Sequence, residues 1–127
     1  MKREYRLLLI GFLVIALWDS ISSIASRQFN FNYALAAAIS FFIYGVFGFI
    51  DSKGKSLKIG VKIAAALGLF DATVGWLIST LLKANTGNTV IEITPVLWII
   101  TAIMVTASAA LCGLIGAWLA SLDKKKA

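Results

Sequence analysis

The chain has 127 residues, 60% of them apolar, and a net charge of +6 with no histidine; its mean hydropathy is +0.90. A soluble domain of this size could not bury so much apolar surface, so lipid is the expected solvent. A single cysteine, no acidic pair at metal-ligand spacing within a loop and no glycine-rich phosphate loop exclude the common metal-dependent, nucleophilic and nucleotide chemistries, and the expectation is a non-enzyme without metal or cofactor.

Four apolar blocks follow one another and predict transmembrane helices over about 7–26, 33–50, 59–82 and 95–122. A hydrocarbon core of about 30 Å takes about 20 helical residues. Arg6 and Arg27 bracket the first block and Lys62 and Lys83 the third, and each pair is separated by about 31 Å at helical rise. The start of the chain, basic and then apolar, resembles a cleavable signal peptide; the apolar run continues nearly to Arg27 at full spanning length, so a retained helix is expected.

Within the first block, Ser22, Ser23 and Ser26 follow Asp19 on one helical stripe. The second block carries Gly45 and Gly48 and an aromatic cluster, Phe41, Phe42, Tyr44, Phe47 and Phe49, spread over several faces. Such a spread suits contact with lipid and neighbouring helices and defines no ligand stripe. In the third block Ala64, Gly68, Asp71, Gly75 and Ser79 make a stripe of small residues around a carboxyl, a face that admits a close neighbour. Residues 85–88 read as a turn and 89–93 as a short extended segment.

Thr94-Pro95 reads as an N-cap followed by a first-turn proline, and starts the fourth helix. Trp98 and Trp118 fall near the ends of that helix, where indoles anchor at the headgroups. Cys112 is read as a small packing residue, and Ala109, Gly113, Gly116 and Ala120 offer a face for self-association.

Charge gives the topology. Lys2, Arg3 and Arg6 precede the first helix, Lys53, Lys55, Lys58 and Lys62 join the second to the third, and Lys124, Lys125 and Lys126 end the chain, against Arg27 and Lys83 alone in the other connections. The positive-inside rule then places both termini and the middle connection in the cytoplasm of a cell membrane protein. The same asymmetry accounts for the net charge without nucleic acid; an anionic lipid at the cytoplasmic face is a possible further partner.

The two halves resemble each other. Trp18-Asp19 is answered by Phe70-Asp71 at an offset of 52, and Gly45 and Gly48 by Gly113 and Gly116 at an offset of 68. The fold expected is therefore an all-α membrane protein, one four-helix domain over 1–127, built as two tandem helical hairpins in a parallel internal repeat with pseudo-twofold packing.

The two aspartates need explaining, since an acid at a helix centre costs about 2.5 to 3.5 kcal/mol on insertion. Counting from the flanking charges, Asp19 lies about 12 Å from the Arg27 end and Asp71 about 14 Å from the Lys62 end, so the two are staggered across the middle of the bilayer. Asp19, Ser22, Ser23, Asp71 and Ser79 form the candidate ion or hydrogen-bond site, and Gly45, Gly48, Gly68, Gly75, Gly113 and Gly116 the candidate packing positions. Two functions fit. The first is a non-enzymatic membrane protein acting by association, as an accessory subunit or homo-oligomer, with neutral carboxyls tying its helices together. The alternative is a proton- or cation-coupled small transporter or channel. A dry, closed pair of carboxyls would favour the first, and a polar cavity reaching both the second.

Overall fold

The structure is a computed structural model that describes residues 2–53, 55–85 and 94–126. It consists of α1 (Arg3–Gln28), a 3-10 turn (Tyr33–Ala36), α2 (Ala37–Ser52), α3 (Leu57–Leu81, with a π-helical turn at Asp71–Gly75) and α4 (Pro95–Lys126). All regular structure among the described residues is helical. The extended segment expected at 89–93, and the turn expected after Asn85, lie outside them.

The helices α1, α3 and α4 are each long and apolar enough to cross a membrane, whereas α2 is a shorter apolar helix. Three of them outrun the apolar blocks because flanking Lys and Arg are good helix formers and continue the same spiral. The second starts later than expected. There the chain makes a 3-10 turn pinned by the Tyr33 N–H, which donates to Asn85 O at 2.6 Å. Thr94 caps α4 as expected: its Oγ1 accepts from the Leu97 N–H at 3.2 Å and its carbonyl from the Trp98 N–H at 3.0 Å.

Packing is set by small residues. A Cβ on Gly48 would stand 2.6 Å from Gly113 O, one on Gly116 would overlap Gly45 O, one on Gly113 would overlap the Ala64 methyl, and one on Gly68 that of Ala109. The α4 stripe of Ala109, Gly113, Gly116 and Ala120 is therefore buried inside the chain, against α2 and α3, and is not a free association face. Beneath it Ile15, Tyr44 and Leu67 are fully buried, and Phe12 stacks on Phe70 at 4.4 Å.

The expected twofold is not seen in the packing as a whole. α4 lies along both α2 and α3, but α1 rests on α3 and α2 and does not reach α4. The ends of the odd-numbered helices do match. Phe31 N–H donates to Ser26 O at 3.2 Å and Ala84 N–H to Ser79 O at 2.9 Å, and between them Asn30 and Lys83 take left-handed φ values of 54° and 53°. Both are Schellman-type ends. Arg27 joins them by donating to Leu82 O at 3.0 Å. At the opposite end of the bundle Lys55 pairs with Glu4 at 2.7 Å, and Arg3 donates to Ile50 O at 3.0 Å.

Candidate functional site

Asp19, 2% exposed on α1, and Asp71, the first residue of the π turn in α3, point into the same space. Helical counting staggers them; in the structure their carboxyls come together over Gly75. A Cβ there would overlap Asp19 Oδ2, stand 2.5 Å from Asp71 Oδ1 and 3.2 Å from Asp19 Cγ, so glycine alone leaves room for the pair. The Tyr33 hydroxyl donates to Asp19 Oδ1 at 2.9 Å, and the Tyr44 hydroxyl donates to Asp71 Oδ2.

Each carboxyl thus takes one phenol and turns its other oxygen toward Gly75. Asp19 Oδ2 is buried without a hydrogen-bond partner among the described residues, and the oxygen that faces it across Gly75 is Asp71 Oδ1. Two bare carboxylates at this separation in a medium of low dielectric repel strongly. The facing oxygens call for a shared proton or another small cation between them.

The π turn has a visible partner. Widening a helix by one residue changes its backbone pairing, and the Ala72 carbonyl within the turn accepts from the Trp98 indole N–H at 2.9 Å. Trp98, expected as a headgroup anchor, thereby holds the turn from α4, with its ring edge-on to Trp76. The turn also bends the expected stripe of α3, so that Ala64 and Gly68 meet α4 while Gly75 meets α1.

Beyond the glycine crossing, α2 and α4 leave two small cavities. One, of about 130 Å³, is lined by Asp19, Tyr33, Ser40, Phe41, Tyr44 and Asp71 among others. The other, of about 170 Å³, is lined by Tyr33, Asp71, Trp76, Ser79 and Thr101, and Val105 borders both. Asp71 lines both cavities, and Asp19 the smaller of the two.

Of the expected site residues, Asp19 and Asp71 meet and Ser79 lines the larger cavity, its hydroxyl donating to Trp76 O at 2.8 Å. Ser22 and Ser23 are buried but turned back on their own helix, donating to Trp18 O at 2.6 Å and Asp19 O at 2.5 Å. They relieve α1 of exposed hydroxyls and make no bond to a carboxyl. Tyr33 and Tyr44 are the residues that sequence reasoning missed. A tyrosine inside an apolar span needs a partner for its hydroxyl, and that signal was present in Tyr44. No family model, no curated protein and no solved structure matches the chain.

Proposed function

We propose that the chain is a four-span protein of the cytoplasmic membrane, with both termini inside, and that the Asp19–Asp71 pair is the ion-binding site of a small proton- or cation-coupled transporter or channel. One observation carries this reading: a buried carboxyl on α1 and a half-buried one on α3 face each other beside a cavity that both line, with a phenol on each. As structural glue the arrangement is poor. Inserting the acids costs about 2.5 to 3.5 kcal/mol each, and interhelical hydrogen bonds return about 0.6 kcal/mol apiece.

Four spans are supported by the length of the second. Its 16 α-helical residues rise about 24 Å, and the preceding 3-10 turn adds roughly 8 Å. Orientation rests on the asymmetry of the basic residues. Duplication is supported by the matched helix ends. Asn30 follows Asp19 by 11 residues (30 − 19) and Lys83 follows Asp71 by 12 (83 − 71), and the π turn absorbs the one extra residue. Action by association, as an accessory subunit or homo-oligomer, would have to use a face other than the α4 stripe.

The proposal is tested in proteoliposomes carrying a pH gradient, with sodium, potassium or a small organic cation on the opposite side. The intact protein is expected to speed the decay of the gradient, and Asp19→Asn and Asp71→Asn, reconstituted to equal amounts, to return it to the rate of empty liposomes. Flux that survives both substitutions, or an intact protein indistinguishable from empty liposomes with every cation, would sink the reading.

A further inference from the structure

The two cavities beside the carboxyls share Tyr33, Asp71 and Val105 in their walls, and further aromatic rings border them: Phe41 and Tyr44 the smaller, Trp76 the larger. Resting on the ion-site reading, we propose that the cation is a small alkylammonium ion, a protonated amine whose N–H groups stand between Asp19 Oδ2 and Asp71 Oδ1 and whose alkyl groups fill the smaller cavity.

Charge is the first reason. Asp19 is 2% exposed, its Oδ2 is unpartnered among the described residues, and Asp71 Oδ1 faces that oxygen across Gly75. Neither cavity is lined by a lysine or arginine. Arg3, Arg27 and Lys55 are engaged elsewhere, with Ile50 O, Leu82 O and Glu4. Two acids so placed need a cation from outside the chain. An ammonium with two N–H groups gives each facing oxygen a donor, in charge-assisted hydrogen bonds.

The rest of the wall selects the organic ion over a metal. A hard divalent cation takes about six or more oxygens. Beyond the two carboxyls and two phenols, the smaller cavity offers one further side-chain oxygen, that of Ser40, which donates to Ala36 O at 3.5 Å. The rings of Phe41 and Tyr44 lie 6.1 Å apart at 57°, so two π systems meet at an angle beside the acids, an arrangement that attracts an organic cation and shelters its alkyl groups. At roughly 30 Å³ for a water-sized group, the cavity of about 130 Å³ holds about four, which matches the carbons of diethylammonium with its nitrogen between the carboxyls.

The test is calorimetric titration of the full chain in neutral detergent micelles with diethylammonium chloride, at constant ionic strength, against tetramethylammonium and potassium chloride. Diethylammonium is expected to bind at least about tenfold more tightly than tetramethylammonium, which has no N–H; that ratio is the loss expected for one charge-assisted hydrogen bond. Asp19→Asn should lose the binding. Phe41→Leu keeps an apolar side chain and removes the ring, and is expected to weaken binding about fivefold. Helical content and elution volume serve as fold controls for both variants. Equal affinity for tetramethylammonium, undiminished binding in Asp19→Asn, or unchanged binding in Phe41→Leu would overturn the proposal. Absence of diethylammonium binding beside aspartate-dependent potassium flux in proteoliposomes would strike this inference and leave the ion site standing, whereas diethylammonium binding without flux of any cation would strike transport and keep the binding site.

Discussion

Replacing Gly75 by alanine is expected to stop ion flux completely although it removes neither carboxyl. The added methyl would lie on Asp19 Oδ2 and within 2.5 Å of Asp71 Oδ1, where no flexible side chain can give way without parting the pair. Two terms oppose each other in stability. Alanine gains about 1 kcal/mol of helix propensity over glycine, and overpacking a filled site costs about 1 to 3 kcal/mol. The net loss is expected to be about 1 kcal/mol, so the variant should fold. Gly45→Ala is the matched control, since its Cβ meets only an ordinary contact at 3.6 Å: the same chemical change there should leave flux intact and the protein no less stable. Flux in proteoliposomes together with unfolding midpoints in denaturing detergent checks both. A Gly75→Ala protein that conducts like the intact one would mean that the two carboxyls do not act as a pair.

Gly116→Val should have the largest effect on folding. Its Cβ would overlap Gly45 O and stand 2.9 Å from Phe49 N, both backbone atoms of α2 that cannot rotate aside. The helices α2 and α4 would have to separate along the crossing, and with them the Gly48–Gly113 contact. The expected cost is about 3 kcal/mol, the upper end for overpacking, seen as a lower unfolding midpoint and as protease sensitivity in the connections. An unchanged midpoint would show that the two helices do not cross at these glycines.

Much of this arrangement could be read from the residues. The four apolar blocks, the Thr94-Pro95 start of α4, the paired glycines and the two aspartates needed only hydropathy, capping rules and the cost of a buried acid. The meeting of the aspartates was not legible, because counting along each helix assumes spans parallel to one axis and a constant 3.6-residue period. The π turn at Asp71–Gly75 breaks the second of these assumptions. Tyr44 escaped notice among four phenylalanines, where composition dilutes the one hydroxyl that must find an acceptor. Ser22 and Ser23 misled in the opposite direction, since a hydroxyl in a helix can bond its own preceding turn and leave nothing for a neighbour.

The placement of Asp19 against the π turn of α3 underlies the whole account, and a crosslink tests it most directly. Asp19 Cγ lies 3.2 Å from where a Cβ of residue 75 would stand, which puts sulfur atoms introduced by Asp19→Cys and Gly75→Cys within reach of a disulfide. With Cys112→Ala removing the native thiol and a protease site inserted between α2 and α3, mild oxidation in membranes is expected to keep the two cleaved halves joined until a reductant is added. Halves that separate after oxidation, in a protein that remains helical and membrane-inserted, would contradict the paired site.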